Sequence, residues 1–446
     1  MQQFDIIIIG KTPAGIAAAV ENAQAGKKTL IVDYANSSTI TLHAAKKSIQ
    51  ILSNLSKEKD PPKDTFTKVQ LQIQQDYIQE SKRLEEEKNL YIIKDSVQFI
   101  SPTQISIGCD IFTAKKFIIA LESILEIPAI NGLDTISYLT FQNFFLQKSI
   151  PQSIIFIGCG AITLELSEVL ARLGCQVIIL EQKENIFTDP RIQKNIQTKL
   201  KDAGIKLITG ATITHVEPEC ITYKKQDSQY TVKAKKIMIA DNYIPDIEQL
   251  NLKKANIEYT KQEITINEYL QTSQKNIFAV GCTKNSINSA YASIIEGYLA
   301  IWNIKFPWLK RKSDSHCLPQ AIVEDWEYAF CGLDEIQALH KFGKNLKIYE
   351  LTNFLPDTEH ESLMKIFCYK GYIVGAWCLG NHANSIIDLL YFMHTMKIPL
   401  KKIRHTLQEF PLIGETLYTL TRTARKKIKL HKLLVNFFRK KSRLKV

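Results

Sequence analysis

Between Phe4 and Asp33 the chain reads FDIIIIGKTPAGIAAAVENAQAGKKTLIVD. Ile6 to Ile9 form a continuous apolar run that stops at Gly10, small residues follow from Pro13, and a second apolar run ends at Asp33. This pattern predicts strand, helix and strand in the order of a parallel βαβ unit opening a nucleotide-binding fold. The pattern returns from Ser153 to Glu181 as SIIFIGCGAITLELSEVLARLGCQVIILE. Between the two, a helix is predicted from about Leu42, Pro61-Pro62 breaks the chain, and Asp64 to Lys88 predicts a charged, solvent-facing helix. Four short runs, Tyr91 to Ile93, Val97 to Ile100, Gln104 to Ile107 and Lys116 to Ala120, predict an antiparallel β-meander. Pro128 and Asn131-Gly132 then mark a turn or hinge.

Each βαβ unit carries a dinucleotide fingerprint with one departure. In the first, Gly10 and Gly15 hold the outer glycine positions of G-x-G-x-x-G, and Thr12 replaces the middle one. That middle glycine lets a pyrophosphate approach the backbone at the helix N-terminus, where N–H groups and the helix dipole attract it. Thr12, Pro13 and Ala14 therefore lie where the phosphates would sit, and Asp33 closes the second strand. In the second unit Gly158 and Gly160 are in register, while Thr163 takes the third position, which governs how closely helix and sheet pack. Glu181 stands where an acid takes the two hydroxyls of an adenosine ribose and would repel a 2′-phosphate, so NADH is expected rather than NADPH.

At 446 residues the chain is long enough for two or three domains, and its 45% apolar and 23% charged residues are those of a soluble globular protein. The N-terminus carries no basic targeting region, and no uncharged apolar run reaches the roughly 18 residues of a membrane span. A cytoplasmic protein is therefore expected. Nine cysteines, no two closer than ten residues, exclude a Cys-x-x-Cys pair. Reduced, buried thiols are expected, and no metal site. The net charge of +12 is concentrated at the end: eleven basic residues lie between Arg422 and Lys445, with no acid after Thr421, and without them the net charge is +1. Ile428, Leu430, Leu433, Leu434, Phe437 and Phe438 recur among them at helical steps, which predicts a cationic amphipathic tail. Its expected roles are packing on the preceding domain or contact with an anionic membrane surface, giving a peripheral placement. No specific nucleic-acid binding is expected.

Beyond the fingerprints the chain resembles the FAD-dependent pyridine nucleotide-disulfide oxidoreductases, in particular mercuric reductase-like and dihydrolipoamide dehydrogenase-like members. The resemblance runs through VQFISPTQISI, GLDTISYLTFQNFF, LKDAGIKLITG, INEYLQTSQKNIFAVGCTKNSINSAYASIIEGYLAIWNI and GYIVGAWCLGNHANSIIDLL. It implies an α/β fold with two Rossmann-like dinucleotide-binding domains, one of FAD and one of NAD type, and a C-terminal α+β dimerisation domain. The implied boundaries are 1–150 with 246–312, 151–245 and 313–422, followed by the tail at 423–446. A homodimer is implied, with residues 313–422 forming a mixed sheet and helices at its interface.

The resemblance also shows what is missing. It places a redox dithiol, two cysteines five positions apart, between Ser37 and Ser48, where there is no cysteine. Serine, threonine and alanine cannot replace a thiolate at neutral pH. The acid-base residue expected before a proline is Phe410, ahead of Pro411, although Glu415 of that motif is retained. His405 is a candidate substitute, more simply read as a solvated histidine. The aspartate expected after Gly281 is Cys282, a poor acceptor. The two segments that clamp nucleotides in relatives read Ala120-Leu121-Glu122 and Ala240-Asp241-Asn242, bringing acids toward phosphate sites unless they point outward. FAD is therefore expected to be held weakly or lost, with NADH as the second cofactor, and no catalytic residue is assigned. Two readings stay open. One is a flavoenzyme passing electrons from NADH through FAD to a small non-disulfide acceptor, and the other a degenerate, dimeric binding or regulatory module.

Overall fold

The computed structural model describes residues 2–34, 42–58, 64–240, 243–281, 290–313, 318–323, 327–352 and 362–405. The chain divides into two units, Met1–Ser315 and His316–Val446. The first unit begins with β1 (Gln2–Ile9), α1 (Pro13–Gln24), β2 (Thr29–Val32), α2 (Leu42–Ser56), α3 (Thr65–Glu85), β3 (Leu90–Ile93), β4 (Val97–Ser101), β5 (Gln104–Ile107) and β6 (Asp110–Ile119). It continues with β7 (Ser123–Leu125), α4 (Phe141–Phe144), β8 (Ser153–Ile157), α5 (Ala161–Arg172), β9 (Gln176–Leu180), α6 (Pro190–Asp202) and β10 (Lys206–Ile208). It ends with β11 (Thr212–Glu217), β12 (Cys220–Lys225), β13 (Ser228–Lys233), β14 (Lys236–Ile239), β15 (Tyr243–Pro245), β16 (Ile277–Ala279) and α7 (Ala290–Lys305).

The isoleucine run explains why β1 sits in the middle of its sheet. Ile6 and Ile8 pack with Ala14 and Ala18 of α1 and Ile301 of α7, whereas Ile7 and Ile9 pack with Phe99, Ile105 and Phe117 on the opposite face. A parallel strand covered on both faces needs such an unbroken apolar run. The sheet order is β3-β2-β1-β6-β5-β4, with β16 added to β6. Long β6 pairs β1 parallel along one edge and shares its other edge between two strands, β5 antiparallel through its first residues and β16 parallel through Phe117–Ile119. The small residues of α1 let α7 pack closely, and a Cβ on Gly297 would run into the carbonyl oxygen of Ala14.

The predicted meander is corrected at both ends. Tyr91–Ile93 belongs to β3, which pairs parallel to β2, because a crossover through helices returns the chain in the parallel sense. The last strand starts at Asp110 rather than Lys116, because the short turn at Gly108, φ +55°, folds it directly onto β5.

The second nucleotide fold is a parallel sheet of order β10-β9-β8-β14, with the antiparallel β11-β12-β13 beside it. The chain passes between the two folds along the antiparallel pair β7 and β15.

The second unit holds β17 (Gln320–Val323), β18 (Glu327–Gly332), α8 (Glu335–Phe342), β19 (Leu346–Thr352), β20 (Leu363–Tyr369), β21 (Tyr372–Leu379) and α9 (Ala383–Thr395). Its order is β17-β18-β21-β20-β19, and every pairing is antiparallel. The expected mixed sheet is thus corrected. One cause is local: Lys370 and Gly371, at φ +50° and +87°, make the tight turn between β20 and β21 that forces antiparallel neighbours. Ile386, Ile387 and Leu390 of α9 close the core of this sheet with Ile366 and Cys378. The tail at 423–446 lies outside the described residues. Among the described residues no helix is long and apolar enough to cross a membrane.

Candidate functional site

In the first fold the C-terminal ends of β1, β2, β3 and β6 converge where strand order reverses about β1, the switch point at which open α/β sheets bind ligands. Backbone bonds lock the edge: Gly10 N to Val32 O at 2.9 Å, Asp33 N to Ile93 O at 2.8 Å and Ala120 N to Ile9 O at 2.8 Å. Gly10 has φ +115°, and a Cβ there would strike the Ala120 carbonyl, so the fingerprint's first glycine is required by the fold itself. Gly15 likewise brings α1 against the Gly10 carbonyl oxygen.

Thr12 changes the chemistry at this edge. It is the N-cap of α1, only 6% exposed, and its Oγ1 accepts from Gly15 N at 3.2 Å while donating to Ala120 O at 2.8 Å. A free helix N-terminus offers unpaired N–H groups to an anion. Here Pro13 has no N–H and that of Gly15 is taken by Thr12, so of the four N–H groups at this end those of Thr12 and Ala14 stay open. Losing two charge-assisted hydrogen bonds costs about 3 to 6 kcal/mol, or about two to four powers of ten in affinity for a diphosphate.

A cavity of about 740 Å³ opens beside this edge. Gly10, Asp33, Tyr34, Leu121, Glu122 and Asp246 are at the strand ends, and residues of α1, α3 and α7 form further walls. Glu122 is thus in the lining, as one of five acidic residues against four cations. Tyr34 carries a buried hydroxyl without a hydrogen-bond partner among the described residues, and burial together with nearby Asp246 pushes its pKa up to about 12. Burial and Glu248 in turn raise the Asp246 carboxyl above its usual range. Lys47 is held by Asp76 at 2.6 Å, and Lys11 by Ser81 Oγ at 3.0 Å and the Tyr77 ring at 4.5 Å.

The second fold has the reverse arrangement. Gly160 caps α5 without any side-chain bond, so the N–H groups of Ala161, Ile162 and Thr163 keep their anion-binding capacity. Gly158 takes φ +101°, as the tight turn requires. Glu181 anchors the loop, its Oε2 accepting from Cys159 N at 2.9 Å and its Oε1 from Lys183 N at 2.8 Å. Each carboxylate oxygen has a further lone pair, so the acid can still accept ribose hydroxyls. Thr163 is fully buried, and its Oγ1 has no partner among the described residues.

Gly281, at φ +70°, donates its N–H to Glu296 Oε2 at 2.8 Å, and Glu296 Oε1 accepts from Ser313 Oγ at 3.2 Å. Cys282, Asp241 and Asn242, residues 37–41 of the expected dithiol segment, and Phe410, Pro411 and Glu415 lie outside the described residues, as does the side chain of His405. Five of the seven described cysteines, Cys159, Cys175, Cys331, Cys368 and Cys378, are buried. The expectation of buried thiols is corrected for Cys109, which is exposed on the turn between β5 and β6, and for half-buried Cys220. Burial pushes the thiols of Cys175 and Cys368 up to about 12 and that of Cys378 further. With a thiol-reactive dye on native protein, Cys109 should label in the fast phase and Cys175, Cys368 and Cys378 only on unfolding. Fast labelling of Cys368 would contradict this.

Two features of the site are not apparent from the sequence pattern. α3, expected to face solvent, presents Val69, Ile73, Tyr77 and Glu80 to the cavity, and its weak apolar periodicity hides that role. Glu296 is 1% exposed; a lone acid within the apolar stretch ASIIEGYLA is the signal that could have found it. Taken together, the residues at the first edge do not fit the diphosphate of FAD, whereas those of the second fit a dinucleotide.

Residues 4–297 match the pattern described as pyridine nucleotide-disulphide oxidoreductase, and residues 318–421 match that family's dimerisation domain. The mercuric reductase of Staphylococcus aureus is 28% identical over 79% of this chain and 68% of its own length. Two further mercuric reductases are matched over 50% and 54% of their length. The dihydrolipoyl dehydrogenase of Bacillus subtilis is 26% identical over 93% of this chain and 97% of that enzyme. A variant of the HOCl-induced flavoprotein disulfide reductase RclA from Escherichia coli, in a Cu(II) complex, shares the fold with a TM-score of 0.83 at 19% identity, covering 94% of this chain and 99% of that one. With two Rossmann-like folds, a C-terminal antiparallel unit and both patterns matched, the chain belongs to the pyridine nucleotide-disulphide oxidoreductase family.

Proposed function

We propose that this chain is a divergent family member that binds NADH, grips FAD weakly or not at all, and has given up dithiol exchange, acting as a dimeric nucleotide-binding module. The observation that carries the proposal is the asymmetry of the two helix N-termini, with α1 closed by Thr12 and Pro13 and α5 open at Gly160. In the second fold the α5 N–H groups would hold the diphosphate and Glu181 the adenosine ribose; a bound nicotinamide supplies hydride. Glu181 also sets the choice of cofactor, since a 2′-phosphate beside its carboxylate would be repelled. The experiment is a fluorescence titration of purified protein with NADH and NADPH. NADH should bind about tenfold or more tighter than NADPH, as loss of a ribose hydrogen bond plus like-charge repulsion requires. Equal affinities, or none for either, would contradict the proposal.

A second reading is electron transfer from NADH through FAD to a small non-disulfide acceptor. It is favoured by the cavity of about 740 Å³ that remains open beside Gly10 and Asp33. Oxidation of NADH by a soluble quinone, dependent on added FAD, would support it. The proposal includes a homodimer, which the dimerisation domain supports, and a cytoplasmic setting. It also includes contact of the tail at 423–446 with anionic membrane surfaces, testable by comparing vesicle sedimentation of the full chain and a form ending at Thr421.

A further inference from the structure

We infer that the first nucleotide fold has been retuned from a dinucleotide to a phosphate-free ribonucleoside, taken into the cavity beside Gly10 through Asp33 and Tyr34. This rests on the proposal that the first fold has lost its grip on FAD.

Three observations point the same way. The cavity, at about 740 Å³, is of small-molecule size, with Ile16, Val20 and Ile73 among its apolar walls and the half-exposed rings of Tyr77 and Tyr298 in its lining. Apolar walls and aromatic rings suit a planar base. The polar groups left open are those a nucleoside needs. Among the described residues nothing pairs with the Asp33 carboxylate, which stands at the ribose position of β2, in contrast to Glu181 with its two backbone donors. The partnerless Tyr34 hydroxyl supplies a donor for an acceptor nitrogen on the base.

The charge balance disfavours phosphate. α1 has lost two of its four N-terminal donors, and the lining carries Asp33, Asp76, Glu80, Glu122 and Asp246 against Lys11, Lys47, Arg83 and Lys94. Lys47 and Asp76 neutralise each other, and Lys11 is directed to Ser81 and Tyr77. A ligand entering with two phosphates would meet a lining with one more carboxylate than cation and only half of the helix donors that would offset it. An uncharged nucleoside meets neither cost.

The test is isothermal titration of the full chain, saturated with NADH to fill the second fold, with adenosine, 2′,3′-dideoxyadenosine, ADP and FAD. Adenosine should bind, and ADP should bind no tighter. Removing the ribose hydroxyls, or replacing Asp33→Asn, should each weaken nucleoside binding by about tenfold. Thr12→Gly with Pro13→Ala should raise the affinity for ADP relative to that for adenosine by about tenfold or more. If that variant does not fold, the ligand series and Asp33→Asn decide alone. ADP binding tenfold tighter than adenosine in the unaltered protein would overturn the inference. Absence of adenosine binding with FAD also unbound would overturn the inference and leave the proposed function standing. Tight FAD binding would overturn both.

Discussion

Purified protein supplied with NADH and excess FAD should not turn over lipoamide, glutathione disulfide or Hg²⁺ by dithiol exchange. The reaction needs two thiols beside the flavin, one of them a thiolate, and the segment from Ser37 to Ser48 has none. Among the described residues, cysteines elsewhere do not compensate. Cys175 and Cys368, with pKa values pushed up to about 12, would hold about 10⁻⁵ of their population as thiolate at neutral pH. Cys109 is exposed, but it lies at the β5–β6 turn, at the N-terminal end of β6, whereas the cofactor edge is at the C-terminal end of that strand. The expected rate is therefore the uncatalysed background, many orders of magnitude below that of a dithiol enzyme assayed in parallel. NADH-dependent reduction of any of these substrates above background would contradict the reading.

Gly10→Ala and Gly15→Ala should each leave little folded protein. At Gly10 a Cβ would lie 2.7 Å from the Ala120 carbonyl carbon and closer still to its oxygen, at φ +115°. At Gly15 the added atom would meet the Gly10 carbonyl oxygen. In both cases the obstacle is backbone within the central sheet, which cannot give way, so a cost above about 4 kcal/mol is expected. Gly26→Ala is the control. Its φ is +75°, but nothing lies within 4 Å of the added Cβ, so only about 1 to 2 kcal/mol of backbone strain applies. Thermal unfolding followed by circular dichroism checks the contrast. Equal stability of the Gly10 and Gly26 variants would mean that the close approach of β1, α1 and β6 is not as described.

The two βαβ units are legible in the sequence because isoleucine runs and fingerprint glycines are local signals set by strand burial and tight turns. Gly10 and Gly158 prove to be needed for backbone conformation whether or not a nucleotide binds, which is why the fingerprints survive even where the ligand chemistry has changed. The parallel pairing of β3 is not legible, because LYII has the same pattern in either direction and only the helical crossover before it decides. Thr12 is visible in the sequence as a departure, but its consequence is not. That the hydroxyl would bond both Gly15 N and Ala120 O, and so occupy the anion site from within, depends on a residue 108 positions away. The cavity is hidden for the same reason, since Asp33, Tyr77, Glu122 and Tyr298 meet only in the folded chain.

The most direct measurement is the flavin content of protein purified without added FAD, read from visible absorbance and from flavin released on denaturation. Little or no flavin per chain is expected, with occupancy rising in Thr12→Gly combined with Cys282→Asp. One tightly held FAD per chain in the unaltered protein would contradict the claim that α1 has closed its diphosphate site.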